Sequence, residues 1–375
     1  MLSRRQMLLG LSSLPLAGCA PGMTRRGTVT ASPFGQLPDG EGVTLYTLAN
    51  AGGAVARVMT YGAAVTSLTM PDRNGRLAEM VLGLDDLEAY RTRSRNFGTT
   101  VGRYAGRIAN GRFMLDGREV RLETGNSRHS SHGGPIGFAR RNWQARAAAT
   151  GAALRLTLVS ADGDQGFPGE LTIDVTYSLT DDNRLCLDFQ ARTTRPTVLN
   201  PTHHSYFNLS GVPGALIHDH LLMVEADRFT PFGPDKLVTG EYRSVAGTAL
   251  DFRQPKPLGR DIAATEEQMR IGGGYDHCFE IRGMAGRSMR RAARLEHPDS
   301  GRAMELWTTE PGVQLFTANS LDMVGRGGVV YRPHCGVCLE PQHFQDSPNR
   351  PEFPSTLLRP GHVFRSRSEY RFMTI

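Results

Sequence analysis

Six stretches of the chain are dense in ionisable and amide side chains: VGRYAGRIANGRF (101–113), SRHSSHGGPIGF (127–138), NPTHHSYFNLSG (200–211), GGGYDHCF (272–279), PGVQLFTAN (311–319) and VCLEPQHFQDSPN (337–349). A carboxylate and a histidine held together suit general acid–base chemistry, because one takes a proton while the other gives one. Residues 334–344, HCGVCLEPQHF, set two histidines and two cysteines around a lone acid, Glu340. Taken singly, each candidate has an ordinary reading. Arg107 suits the surface, His132 a loop beside Gly133–Gly134, His204 a satisfied core position, and Asp276 a turn cap after three glycines. Together, polar groups at strand ends that converge on one concave face suit a sugar. Its hydroxyls need charged and amide partners, and its faces need aromatic ones. Tyr206, Phe207, Phe279 and Phe344 are the aromatic candidates.

Metal binding is the competing chemistry. His334, Cys335, Cys338 and His343 are zinc-ligand types. On a strand, however, Cys335 and Cys338 point to opposite faces and neither share a metal nor readily bridge. The short step from Cys338 to His343 also lacks the long loop of Cys₂His₂ sites. His218-Asp219-His220, between Pro213–Gly214 and a strand, reads as a solvated turn. No metal and no cofactor is therefore expected, and Glu340 is the functional residue of its stretch.

The elements that must position these residues are almost all β. VTLYTLAN (43–50), AVARVMTY (54–61), ALRLTLVS (153–160), ELTIDVTYSL (170–179) and RLCLDFQART (184–193) alternate or are β-branched. FMLDGREVRL (113–122) places Asp116–Gly117 between two such runs, a hairpin signal. Later runs include 220–230, 302–308, 313–319 and 363–374, and short helices are expected only near 85–92 and 265–270. Many strands, Gly/Pro turns, no internal repeat and no Pro-rich linker predict one domain, 36–375, built as a large antiparallel β-sandwich.

The chain has 375 residues and a net charge of +6, or +4 once Arg4 and Arg5 leave with a cleaved leader. The one dense basic run, RTRSR (91–95), lacks the length and interleaved aromatics of a nucleic-acid site, so no nucleic-acid partner is expected. Residues 1–18 read as an export signal: the pair Arg4–Arg5, an apolar run too short to span a bilayer, then small residues. Leu16 to Cys19 (L-A-G-C) resembles a bacterial lipobox, which makes Cys19 the expected lipidation site and mature N-terminus. Residues 19–35 read as a flexible tether. The protein is thus expected to be twin-arginine exported, and periplasmic or membrane-anchored through Cys19. Cys186, Cys278, Cys335 and Cys338 remain, free to pair in an oxidising compartment, and the sequence does not choose among pairings.

GRYAGRIANGRF, HGG..GF, HHSYFNLSG, GYDHCF, PGVQLFTAN and CLEPQHFQDSPN, in this order, resemble the motif series of the aldose 1-epimerase (galactose mutarotase) family, over roughly residues 41–375. The resemblance implies a galactose mutarotase-like supersandwich that interconverts the α and β anomers of free aldohexoses. It also implies a small-molecule monosaccharide as partner, in a monomer or homodimer. It implies Glu340 as general base, His204 as general acid, and Arg107, His132, Asp276 and Gln314 as sugar-binding residues. Gly106 stands where that family usually has Asn, His203 where Asn is common, and His129 competes with His132, preferred for immediately preceding Gly133–Gly134. Mutarotation needs one group to take the anomeric proton and another to protonate the ring oxygen. A nearby Asp276 or Glu340 is expected to favour charged His204. Two other readings compete. One is epimerisation of another or a phosphorylated sugar, helped by Arg91, Arg93 and Arg95. The other is a non-catalytic carbohydrate-binding module, which would need neither Glu340 nor His204.

Overall fold

The computed structural model describes residues 27–286 and 288–375. The leader, Cys19 and the first part of the expected tether lie outside the described residues. Three sheets carry the fold. The first runs in chain order through Thr28–Gln36, Gly42–Ala49, Val55–Met59, Ala64–Pro71 and Leu77–Glu79. The longest has nine strands, ordered Gln144–Ala147, Ala153–Ser160, Leu171–Leu179, Arg184–Thr193, Phe364–Thr374, Arg302–Thr308, Arg290–His297, Leu221–Val224 and Lys256–Pro257. The third is ordered Arg243–Ser244, Ala226–Thr230, Asp276–Ile281, Gly312–Phe316 and Cys338–Gln342. Every ladder in them is antiparallel.

Sequence alternation sets which face is buried. In Leu171–Leu179 every second residue is buried, and in Ala153–Ser160 the pattern is the same. The inward faces of the three sheets meet in one apolar cluster: Leu48 and Val58 from the first, Leu156 and Val175 from the longest, Phe279 and Val313 from the third. This is the expected β-sandwich. Asp116 and Gly117 both take positive φ between Arg112–Leu115 and Arg118–Arg121, the backbone a tight hairpin of this hand requires. The two short helices are Leu87–Thr92 and Glu267–Gly272.

One expectation is corrected. Residues 28–35, read as tether, form the edge strand Thr28–Gln36, paired with Gly42–Ala49. This strand is held by main-chain hydrogen bonds and buries few side chains, so its polar, Pro- and Gly-containing sequence carries no alternation to read. The register shifts between Pro33 and Gly35, as suits a proline at a sheet edge.

The motif GRYAGR contains two arginines with different fates. Arg103 is 1% exposed, and its guanidinium donates to the carbonyls of Pro168 (3.0 Å), Gly169 (2.9 Å) and Ser160 (3.2 Å) and to Ser160 Oγ (2.7 Å). It ties loop 160–169 to the body; Arg107 alone reaches the site. Arg103→Met leaves these acceptors buried without donors, and is expected to cost about 3 kcal/mol or more. Urea unfolding of the variant checks this.

Candidate active site

Glu340 lies in strand Cys338–Gln342 opposite Gln314, which lies opposite Cys278 of the next strand. Residues in register share a face, as do alternate residues along a strand. Asp276, Gln314, Phe316, Glu340 and Gln342 therefore project to one side of the third sheet. His204 ends strand Thr202–His204, which pairs with Thr99–Val101. Thr202 Oγ1 donates to the carbonyl of Pro341 (2.8 Å) and pins this strand beside Glu340. His204 Nε2 comes to 3.7 Å from Glu340 Oε1, and Tyr206 stacks on the imidazole at 5.0 Å. Arg107 enters from the two-residue strand Arg107–Ile108, paired with Ser130–Ser131, and His132 follows that partner strand with φ 51°. The N–H of Gly106 donates to His132 Nδ1 (3.4 Å), so the neutral ring carries its proton on Nε2.

These side chains line one cavity of about 330 Å³, a size suited to a monosaccharide. Glu340, His204, Arg107, His132, Asp276 and Gln314 all contribute to its wall. Gln314 Nε2 donates to Asp276 Oδ1 (2.7 Å). His203, next to His204, points the other way, bonded to Tyr177 OH (3.3 Å) and Ser205 Oγ (2.7 Å). His129 accepts from the N–H of Asn110 (3.0 Å) and does not line the cavity.

Burial dominates the electrostatics. Glu340 and His204 are 2% and 5% exposed. Desolvation, then the charge of Asp276, pushes the Glu340 carboxyl well above its ordinary value. Desolvation, then His132, pulls His204 down to about 3. The expectation that a neighbouring carboxylate keeps His204 charged is thus reversed, because neither carboxylate offsets the lost hydration. Burial, then Arg107, likewise lowers His132 to about 4, which makes it a neutral donor. Burial raises Asp276 too, against Arg107, Lys236 and Gln314. The neutral pair, carboxylic acid and imidazole, holds the same number of protons as carboxylate and imidazolium. The two forms are tautomers that differ by the transfer of one proton across the 3.7 Å gap.

An acid–base pair of this kind is competent while it holds one proton. A second proton binds below the lowered pKa of His204, and the one proton leaves above the raised pKa of Glu340. The acid limb of kcat/KM, which reports the free protein, is expected below about pH 5, on the side of the lowered histidine. A midpoint near histidine's ordinary 6.5 would contradict it.

A sequence model of the aldose 1-epimerase family matches residues 44–371. A galactose mutarotase from Bos taurus is 39% identical over 347 residues, 92% of this chain and 98% of that protein. An aldose 1-epimerase from Escherichia coli (strain K12) is 37% identical over 339 residues, 90% and 97% of the two chains. The chain belongs to the aldose 1-epimerase family. Among solved structures, a galactose 1-epimerase from Lactobacillus acidophilus superposes with TM-score 0.80 at 26% identity, covering 92% of this chain and 99% of that one. An aldose epimerase homologue from C. elegans gives 0.78 at 32%, covering 86% and 97%. The match of the aldose 1-epimerase model contains all six cavity residues named above.

Several sequence readings need correction within this aldose 1-epimerase fold. Phe207 and Phe279 lie in the main core and Phe344 in a separate apolar cluster, so none faces the sugar cavity. Tyr206 backs His204, and the aromatic wall is Phe316. Lys236, Gln342 and Gln345 also line the cavity and were missed. Phe316 was legible as Gln314 plus two on one strand. Lys236 comes from a loop whose sequence carries no signal. Arg91, Arg93 and Arg95 do not line the cavity; Arg93 donates to the carbonyl of Val324 (3.3 Å). Segment 332–336 is not strand, so the opposite-face argument against zinc does not apply. Among the described residues no three of these four ligand types converge all the same: His343 bonds Glu310 (2.7 Å) and His334 the carbonyl of Thr317 (3.1 Å). Cys186, Cys278, Cys335 and Cys338 are free and buried.

Two groups among the described residues bring three ligand-type atoms within 4.8 Å: His204, Cys338 and Glu340, and Asp219, His220 and His297. In the second, every ring nitrogen is engaged. His220 Nε2 accepts from the N–H of Leu209 (2.9 Å) and His297 Nδ1 from that of Ser300 (3.1 Å), so both rings donate to Asp219 (3.0 and 3.2 Å). His220 is fully buried, which replaces the expected solvated turn with a structural clasp. A larger cleft of about 790 Å³ lies elsewhere, but its charges pair among themselves, as in Lys256–Asp261 (2.8 Å) and Arg282–Asp227 (2.7 Å).

Proposed function

We propose that this protein interconverts the α and β anomers of free aldohexoses such as glucose and galactose. The observation that carries the reading is the approach of Glu340 and His204 across one polar, monosaccharide-sized cavity. Ring opening starts from the ionised tautomer of the pair: the Glu340 carboxylate takes the proton of the anomeric hydroxyl while the His204 imidazolium protonates the ring oxygen, which leaves the neutral pair. The C1–O5 bond breaks to an aldehyde and a hydroxyl. Rotation about C1–C2 presents the other face, and the two groups reverse roles as the ring closes. Protons and electrons balance within the sugar and the pair, with no redox step and no need of a metal. Arg107, with the Nε2–H of His132, offers donors to the hydroxyls and to charge developing at O5, while Asp276 and Gln314 offer acceptors.

A pure binding module needs no such pair. The arginines on which the phosphorylated-sugar reading relied, Arg91, Arg93 and Arg95, lie outside the cavity lining. Polarimetry of freshly dissolved α-glucose and α-galactose tests the reading: faster decay of rotation with protein supports it, and a rate equal to buffer refutes it. The likeness of Leu16–Cys19 to a lipobox supports an exported protein acylated at Cys19, and mass spectrometry of the mature N-terminus checks that part.

A further inference from the structure

Gly106 leaves a gap in the motif beside Arg107, and the structure fills it from elsewhere in the chain. Gly106 has φ 74°, and a Cβ placed on it would lie 2.4 Å from Gln345 Cγ and 2.9 Å from its Cδ. The side chain of Gln345 therefore occupies the space that a side chain at 106 would take. It is 3% exposed and lines the cavity.

Its carboxamide has a defined direction. The backbone N–H of Arg107 donates to Gln345 Oε1 (3.3 Å), and Gln345 Nε2 donates to Gln314 Oε1 (3.5 Å). Gln314 must present its oxygen there, because its own Nε2 donates to Asp276. One N–H of Gln345 is thus weakly engaged, and the other has no partner among the described residues. The segment carrying it is rigidly tied. Tyr104 OH donates to the carbonyl of Phe344 (2.9 Å) and accepts from the N–H of Ser347 (3.1 Å), and the N–H of Asp346 donates to the carbonyl of Arg107 (2.9 Å). Such a preorganised donor is what sugar recognition needs.

We propose that Gln345 is a sugar-binding residue that supplies, from the loop after the Glu340 strand, the amide contact that Gly106 cannot make. It donates to a ring hydroxyl and holds the Arg107 backbone in place. This rests on the sugar-binding reading of the cavity.

The test is a swap. Gln345→Ala is expected to raise KM for galactose about tenfold, the value of one lost hydrogen bond, with kcat changed by less than about threefold. Gly106→Asn alone is also expected to impair binding, because its side chain collides with Gln345. Asn tolerates positive φ better than most residues. The double variant G106N/Q345A, with the space cleared, is therefore expected to bind better than either single variant. A role confined to packing would show as a changed melting temperature in Q345A and its recovery in the double variant, with the Kd for galactose of Q345A unchanged. An unchanged KM in Q345A, or a double variant worse than Q345A, overturns the proposal. Calorimetric Kd values for galactose give the same comparison without turnover. Absent catalysis in the unaltered protein would thus count against the acid–base reading alone, and an unchanged Kd in Q345A against this one.

Discussion

Glu340→Gln is expected to lower kcat by roughly 10²- to 10⁴-fold while leaving KM within about threefold, the range for loss of one positioned acid–base group. The amide keeps the size of the carboxyl and its place opposite Gln314, but it cannot exchange a proton with the anomeric hydroxyl. The substitution should not damage the fold. The pKa of Glu340 in the folded protein lies well above the ordinary 4.5, so the folded state binds this proton more tightly than the unfolded one. Its contribution to stability is full below the unfolded value and declines as pH rises through the folded one. At pH 7 Glu340 is therefore a burden that the amide removes, and the variant is expected to melt at or above the temperature of the parent. A catalytic group that costs stability is a common feature of active sites. Polarimetry with thermal unfolding checks both halves, and a variant that is slow because it is unfolded would count against the argument.

His204→Gln is expected to lose activity on the same scale, and the double variant E340Q/H204Q to lose little more than the worse single one. The two groups hold one working proton between them, so either loss disables the same step. The 3.7 Å approach makes the residues neighbours, and neighbours need not add. Two full and multiplicative losses would mean that they serve independent steps. Tyr206 backs the imidazole, so the glutamine replacement, which fills part of the same space, is preferred to alanine.

The strands that face both core and solvent, such as Leu171–Leu179, were legible from alternation alone, and the Asp116–Gly117 hairpin from its turn chemistry. The edge strand Thr28–Gln36 was not, because its stability comes from backbone pairing and one face has nothing to bury against. Parity along strands could have corrected the aromatic candidates: Asp276 faces the cavity, so Phe279, three residues on, faces the core, whereas Phe316 shares the face of Gln314. The ionisation of His204 was beyond reach, since it depends on how completely the folded chain excludes water from both partners. The same is true of Gln345. Its place beside Gly106 depends on two segments 239 residues apart coming together through Tyr104, Arg107 and Asp346.

The most direct test is a crystal structure of Glu340→Gln with galactose bound. The expected result places the anomeric hydroxyl and the ring oxygen within hydrogen-bond distance of residues 340 and 204, one on each, with Arg107 and His132 on neighbouring hydroxyls. A sugar bound with its anomeric carbon turned away from both residues, or bound outside this cavity, would contradict it.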